Sequence, residues 1–267
     1  MGEIFQYTFM VRALIAGIFS ALTLGALGAF VTTRKMSFMG DGVAHASLAG
    51  IALAILLGWA PVPVALGFSV IIALLIYFLE KKIKISADMA IAIIFTTGMA
   101  LGILLLSFYQ GYQPELISYL FGNILTISNI DLIAIVAVSV LVLGFLLFFY
   151  RRILFSTFDS VGAYLSGLKV WLYDIFLYIA IALAVIVSIK LVGIILVSAL
   201  LVLPSAISRL FSQSFKSFIL LASLSALIIV VSGLILSYYL NLPSGATIVL
   251  LGTCLFMVAS LIKGLRG

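Results

Sequence analysis

The sequence predicts an all-α, polytopic membrane protein with eight or nine transmembrane helices, and three observations indicate this fold class. Of the 267 residues, 66% are hydrophobic and 8% are charged, whereas about a quarter of the residues in a typical soluble domain are charged. The mean hydropathy is +1.43. Apolar runs long enough to cross roughly 30 Å of hydrocarbon recur throughout, with spacers too short for an extramembrane domain. We therefore expect a single transmembrane domain over residues 1–267.

The individual spans follow from apolar runs bounded by charged or turn residues. Their predicted limits are residues 10–32, 37–57, 62–79, 88–107, 129–150, 170–189, 191–210, 217–239 and 245–262. The first run is longer than a signal peptide needs and no small-residue cleavage site follows it, so we interpret it as a span. Only Lys190 separates the sixth run from the seventh. These two form either two helices or one broken helix with a re-entrant piece.

Basic residues in the short loops predict that the amino terminus lies outside the cell and the carboxyl terminus inside. The basic residues that then fall inside are Arg34, Lys35, Lys81, Lys82, Lys84, Arg151, Arg152, Lys169, Arg209, Lys216, Lys263 and Arg266. Arg12 and Lys190 are the exceptions. This topology explains the net charge of +6, and we expect membrane lipid but no nucleic acid as a partner.

Two connections are longer than simple turns: residues 107–128, predicted to be external, and residues 151–169, predicted to be internal. In the internal connection apolar side chains recur at helical intervals, at Phe155, Phe158, Val161, Tyr164, Leu165 and Leu168. This pattern predicts a short amphipathic helix at about residues 156–168, begun by a Ser or Asp cap. Its apolar face needs a partner or the membrane surface to cover it.

His45, the sole histidine, lies four residues after Asp41 in an otherwise apolar run. On a helix this spacing puts the carboxylate and the imidazole on one face. Because ionisable groups inside a membrane are costly, they favour a functional interpretation, and these two ligand types suit zinc, manganese and iron. We predict that they are transient metal ligands. The alternative is that Asp41 caps the helix start and His45 satisfies a neighbouring carbonyl.

A twofold homodimer with this helix near its axis would bring two such pairs together as a four-ligand cluster. The other carboxylates are less informative. We expect Glu80 to be a solvated loop charge, Asp88 a first-turn residue of its span, and Asp131 an external loop residue.

Small and polar residues interrupt the apolar run at residues 191–209, namely Gly193, Ser198, Pro204 and Ser205. Small residues permit close helix approach, and a proline frees a backbone carbonyl and kinks the helix. These residues are therefore candidates for a gate or pathway wall, with ordinary tight packing as the alternative. We find no phosphate-binding loop and no catalytic motif, so we expect a transport subunit rather than an enzyme. ATP hydrolysis, if it drives transport, must occur on another chain.

Four motifs follow one another along nearly the whole chain. They are RKMSFMGDGVAHASL at 34–48, SYLFGNIL at 118–125, Phe158-Asp159 ahead of LSGL at 165–168, and VGIILVSALLVLPSA at 192–206. In this order they resemble the successive signatures of ABC-importer permeases for zinc, manganese and iron. The resemblance implies a type II ABC-importer-like fold. It also implies a homodimer with two cytoplasmic ATPase subunits and an extracytoplasmic protein that delivers the metal.

On this resemblance Asp41 and His45 match the family's aspartate and histidine in the ion path. The helix at 156–168 matches the coupling helix that docks into the ATPase. Its matching positions are Phe158, Asp159, Leu165 and Gly167. One departure is Asn123, where many relatives carry an acidic residue, and this difference concerns either metal preference or contacts with the delivery protein.

The resemblance implies alternating access in the cell membrane, with Zn2+, Mn2+ or Fe2+ as transported substrate, ATP on the partner subunit and no permanently bound cofactor. A proton-coupled secondary metal transporter is the alternative, with Asp41 and His45 as a proton relay. A copurifying ATPase would discriminate between the two. Metal chelates would need a wider path, and an intramembrane enzyme would need a second reactive cluster.

Overall fold

The computed structural model describes residues 7–109 and 127–265, and all regular secondary structure within these ranges is helical. The described helices are α1 (Thr8–Thr33), α2 (Met39–Ala46), α3 (Leu48–Leu57), α4 (Pro61–Lys81), α5 (Ala87–Ser107), α6 (Asn129–Phe148), α7 (Tyr150–Phe158), α8 (Ser160–Leu165), α9 (Val170–Val192), α10 (Ile194–Phe211), α11 (Phe215–Leu240) and α12 (Ser244–Gly264).

Eight segments in these ranges are long and apolar enough to cross a membrane: α1, α2 together with α3, α4, α5, α6, α9, α11 and α12. The helix α10 adds a shorter apolar segment, Leu196–Phe211. The predicted all-α, polytopic membrane fold is therefore confirmed. The break between the sixth and seventh predicted spans falls at Gly193 rather than at Lys190, because Gly193 adopts the positive φ of +78° that glycine tolerates best.

Backbone contacts divide the chain into two compact units. Unit 1 comprises Met1–Thr32, Gln113–Ser139 and Val187–Gly267. Unit 2 comprises Thr33–Tyr112 and Val140–Ile186. A single domain over the whole chain remains a prediction.

In unit 1, α1 packs closely against α10 and α11 through glycines. A Cβ added at Gly25 would lie 2.7 Å from the carbonyl oxygen of Ala222, and one added at Gly28 would collide with the carbonyl oxygen of Leu201. Small residues allow such backbone approach, which drives helix association in lipid. These contacts hold three of the long helices of unit 1 together.

In unit 2, the continuous pair α2–α3 packs against α5 in the same way. A Cβ at Gly98 would lie 2.6 Å from the Cα of Ala46, and one at Gly102 would lie 3.0 Å from the backbone nitrogen of Ala49. Gly98 lies against Ala46, and four residues later Gly102 lies against Ala49. The residue numbers therefore increase in the same direction along both segments, so α2–α3 and α5 run parallel. The helix that carries Asp41 and His45 is thereby pressed against α5 along its length.

Two carboxylates that we expected in loops lie in helices instead, Glu80 partly buried and Asp131 buried, so those predictions are wrong. Glu80 lies in the last turn of α4 with its side chain 17% exposed, accepts a hydrogen bond from the Tyr178 hydroxyl and pairs with Lys81. Asp131 lies in the first turn of α6 and is 7% exposed. Its carboxylate accepts hydrogen bonds from the backbone and the hydroxyl of Ser128, at 2.9 and 2.6 Å. Ser128 and Asp131 thus form a reciprocal cap that satisfies the helix start.

We expect the substitution Gly98→Ala to lower the thermal stability of the protein. The added methyl group would meet the backbone of Ala46, which cannot give way unless α2 moves. Overpacking of this kind costs about 1–3 kcal/mol. The matched control is Gly67→Ala in α4, because nothing lies within 4 Å of the added Cβ there. Thermal unfolding in detergent measures both variants, and equal unfolding temperatures would contradict the packing described for Gly98.

Candidate functional site

Asp41 and His45 both lie on α2 in unit 2, one helical turn apart. The Nδ1 atom of His45 lies 3.0 Å from the backbone carbonyl oxygen of Asp41. A carbonyl oxygen can only accept a hydrogen bond, so in the neutral ring Nδ1 carries the proton and donates it. The lone pair of Nε2 is then the part of the imidazole that can bind a metal ion.

The geometry agrees in part with each of the two interpretations of Asp41 and His45, as metal ligands and as a helix cap with a hydrogen-bonded histidine. His45 does satisfy a carbonyl, and it does so through Nδ1, while Nε2 takes no part in that hydrogen bond. Asp41 lies in the first turn of α2, where the helix dipole stabilises a carboxylate, but the N-cap position belongs to Phe38. The carboxylate of Asp41 is therefore placed near the positive end of the helix without serving as its N-cap.

The two side chains open into a groove of about 530 Å³ between α2 and α5. The groove is lined by Phe38, Asp41, Gly42 and His45 on one side and by Asp88, Ile91, Ala92 and Phe95 on the other. The ring of Phe95 packs edge to face against His45, with the centroids 4.9 Å apart. Asp41 and His45 are both partly exposed in this groove. A small cation entering it can contact a carboxylate and an imidazole within an otherwise mostly apolar lining.

Asp88 is a residue of this site that the sequence pattern did not single out. It lies in the first turn of α5 and is exposed, as expected of a first-turn residue, but it also lines the groove. It lines a second cavity as well, of about 470 Å³, whose other charged residues include Glu80, Lys81 and Lys84. Asp88 therefore stands where the two cavities meet. Asp88 lines the same groove as Asp41 because α2 and α5 pack in parallel. No short sequence motif encodes that packing, so the sequence alone does not reveal it.

A metal ion held by one copy of the chain would have few ligands from its own side chains. Within residues 7–109 and 127–265, no group of three or more His, Cys, Asp and Glu side chains could hold a metal ion. The described part of one chain contributes the pair Asp41 and His45 to the groove, with Asp88 farther along it.

The gate candidates lie in unit 1. Gly193 separates α9 from α10, and Pro204 lies inside α10. Ser205 donates a hydrogen bond to the carbonyl oxygen of Leu201 at 3.0 Å and is 1% exposed. The hydroxyl of Ser198 is buried with no hydrogen-bond partner among the residues that the structure describes. Ser205 thus has a packing role, and a gate or pathway role for the four residues remains a prediction.

The internal connection is helical, but it forms two helices rather than the single helix predicted at 156–168. The chain breaks at Asp159, which adopts φ −143° and ψ 82°, between α7 and α8. The carboxylate of Asp159 accepts a hydrogen bond from the backbone N–H of Gly162 at 2.8 Å. Aspartate competes with the helix backbone in this way, so it ends one helix and caps the next. Gly167, with φ +83°, then ends α8 in a left-handed conformation.

These two short helices present an exposed apolar face, formed by Phe158, Val161, Tyr164 and Leu165. Their exposed fractions are 64, 67, 72 and 78%, respectively. A contiguous exposed apolar patch of this kind is typical of a surface that binds a protein or membrane partner. Below we call these four residues the coupling face.

Comparison with known proteins identifies the family. A family model described as the ABC 3 transport family matches residues 6–263. The chain belongs to the ABC 3 transport family. The resemblance that the four motifs carry is therefore confirmed, and this ABC 3 family protein is a multi-pass protein of the cell membrane. The second motif, at 118–125 with Asn123, lies outside the described residues.

Relatives of this ABC 3 family protein match over nearly their whole length. The manganese transport system membrane protein MntC of Listeria monocytogenes is 36% identical over 262 residues, which cover 98% of this chain and 93% of that protein. The high-affinity zinc uptake system membrane protein ZnuB of Buchnera aphidicola is 30% identical over 93% of this chain and 96% of its own length. The structure of PsaBC from Streptococcus pneumoniae in complex with Fab matches with a TM-score of 0.85 and 32% identity, covering 97% of this chain and 93% of that chain.

We expect Ser198→Ala to unfold at a higher temperature than Ser205→Ala. The first substitution removes a buried hydroxyl without a partner, which costs about 1–3 kcal/mol to desolvate, whereas the second removes a hydrogen bond worth roughly 1 kcal/mol. Both substitutions change serine to alanine within α10, so the difference in helix propensity between the two residue types affects both variants equally. The reverse order of unfolding temperatures would show that the Ser198 hydroxyl has a stabilising contact.

Proposed function

We propose that this chain is the membrane-spanning permease of an ATP-driven importer for a divalent transition metal ion, namely zinc, manganese or iron. The observation that carries the proposal is the pair Asp41 and His45 in the groove between α2 and α5, in a chain of the ABC 3 transport family. The named functions of the manganese and zinc relatives support the same substrate class.

The chemistry of the groove suits a transported ion better than a stored one. A carboxylate oxygen and a neutral imidazole nitrogen together accept Mn2+, Fe2+ and Zn2+. Two such ligands bind weakly enough for release, and a homodimer with α2 near its axis supplies four. Asp88 adds a negative charge to the lining of the groove, which favours the entry of a cation.

The partners follow from the coupling face and the family. Each copy of a homodimer docks an ATPase subunit on the inner side through Phe158, Asp159, Leu165 and Gly167, and ATP binding and hydrolysis there drive alternating access. An extracytoplasmic metal-binding protein delivers the ion. The chain itself is a transport subunit that binds no permanent cofactor. The exposure of the coupling face supports this docking.

We expect His45→Ala to abolish metal uptake while the permease still assembles, because the substitution removes the Nε2 ligand. Uptake should fall at least about tenfold, the lower end of the effect of disturbing a metal site. Uptake of radiolabelled zinc and manganese is measured in proteoliposomes that contain this chain, its ATPase and its metal-binding protein, with ATP enclosed or omitted.

The control for this experiment is Thr96→Ala, since the Thr96 hydroxyl donates to backbone carbonyls of its own helix α5. It should transport as the wild type does. Undiminished uptake by a well-assembled His45→Ala permease would exclude the ligand role. Uptake that ignores ATP but follows a proton gradient would instead identify a secondary transporter with Asp41 and His45 as its relay.

We expect Phe158→Glu to uncouple the ATPase, because a charge replaces a 64% exposed apolar side chain of the coupling face. ATPase copurification and permease-stimulated ATP hydrolysis should both fall. Phe211→Glu is the control, because it makes the same substitution at an exposed phenylalanine outside the coupling face, at the end of α10, where the side chain is 43% exposed. Normal ATPase recruitment and stimulation by Phe158→Glu would rule out this docking surface.

A further inference from the structure

Arg34 joins three segments of unit 2 that are far apart in the sequence. Its Nη1 atom donates to the carboxylate of Asp174, near the start of α9, at 2.7 Å. Its Nη2 atom donates to the hydroxyls of Ser156 and Thr157 at 3.1 and 2.9 Å, and its Nε atom donates to Thr157 at 3.1 Å. The guanidinium group thus connects the end of α7 and the start of α9 to the linker between α1 and α2.

This cluster is sheltered from water. The side chains of Arg34 and Asp174 are 10% and 8% exposed. A buried ion pair is stable only with good geometry and with its remaining donors satisfied, and the two hydroxyls accept three of the other hydrogen bonds of Arg34. Because the guanidinium fork is planar and rigid, it holds its partners in one fixed arrangement.

The linker from Arg34 to α2, the helix that carries Asp41 and His45, is short and tightly packed. Lys35 makes a tight left-handed turn with φ +56°. Met36 and Met39 are then 1% and 0% exposed, and the backbone N–H of Met39 donates to the carbonyl of Met36 at 2.9 Å. Asp41 follows seven residues after Arg34. The segment from Arg34 to the start of α2 is therefore short, hydrogen-bonded and buried at Met36 and Met39.

The other end of the connection adjoins the coupling face. Thr157 immediately precedes Phe158, and both belong to the last turn of α7. The hydroxyls of Ser156 and Thr157 each donate to the carbonyl of Ile153 in the same helix, at 2.9 and 2.7 Å, while they accept from Arg34. Their positions are thus fixed to α7, and they move with it.

We propose that Arg34 is the positioning residue that couples movement of α7 to the ligand pair on α2. This rests on the proposed function. When the ATPase shifts the coupling face, Ser156 and Thr157 displace the guanidinium group, and the short linker moves α2 against α5. Asp174 supplies the fixed charge on α9 that holds Arg34 during this movement. The link is a contiguous chain of hydrogen bonds and buried side chains, the kind of network that carries coupling between sites.

The test is the double variant Ser156→Ala/Thr157→Val, which removes the two hydroxyls while the ion pair of Arg34 and Asp174 stays. Assembly with the ATPase and the rate of ATP hydrolysis should stay within about twofold of the wild type. The amount of metal transported per ATP hydrolysed should fall at least about tenfold. The variant Arg34→Lys, which retains the charge but not the fork, should have the same effect.

The matched control is Ser166→Ala, since the Ser166 hydroxyl donates to the carbonyl of Ala163 within the same coupling segment at 2.8 Å. Its ratio of transport to hydrolysis should equal that of the wild type. A wild-type ratio in the double variant would overturn the proposal. Lower thermal stability of the double variant with an unchanged ratio would also overturn it, because the cluster would then serve only the fold.

A second readout does not depend on the transported ion. Spin labels at Phe38→Cys and Ala92→Cys, on opposite sides of the groove, report the distance between α2 and α5 after Cys254→Ser removes the native cysteine. ATP added to the assembled transporter should change this distance in the wild-type background and in Ser166→Ala, but not in Ser156→Ala/Thr157→Val. An equal change in the double variant, or none in any background, would overturn the coupling role. This readout uses ATP and not the ion, so failure to transport zinc, manganese or iron would not by itself change the measured distance.

Discussion

Close approach of helix backbones is the constraint on which the rest of this structure depends. In lipid the hydrophobic effect does not drive helices together, so association relies on tight packing and interhelical hydrogen bonds. Gly98 and Gly102 let α5 lie directly on α2 and α3, and Gly42 faces Ile91 in the same seam. The groove exists because this seam fixes two parallel helices at a short distance. The ligand pair gains its place in the groove from glycines that take no part in its chemistry.

Ionisable groups in this chain are accommodated in two different ways. Arg34 and Asp174 neutralise each other in a buried cluster whose hydroxyls complete the hydrogen bonds, so the charges are stable where they are. Asp41 and His45 are partly exposed in a groove, and among the described residues the hydrogen bond of the histidine ring runs from Nδ1 to the carbonyl of Asp41. The first arrangement is complete and fixes geometry. The second is left incomplete, which is the condition for binding a passing cation.

Sequence reasoning succeeded where the signal is local and failed where it depends on tertiary contacts. Apolar run length identified the spans, and the four-residue spacing identified the shared face of Asp41 and His45, because both follow from helix geometry alone. The helix break at Asp159 was missed because apolar side chains recur at helical intervals on both sides of it, at Phe155, Phe158, Val161 and Tyr164. The partnership of Arg34 with Asp174 joins residues 140 positions apart, and no periodicity can reveal it.

In the proposed transport cycle two ligands hold the ion weakly, so we propose that coupling acts on the distances between the ion and its ligands. Each tenfold change in affinity corresponds to about 1.4 kcal/mol, so losing or gaining one metal ligand changes the hold on an ion by a large factor. A movement of α2 against α5 changes the distance from the pair Asp41 and His45, which both lie on α2, to Asp88 on α5. The rigid linker after Arg34 is suited to such a movement. A tightly packed linker can transmit a small displacement to the helix that follows it, whereas a flexible loop would change its own conformation instead.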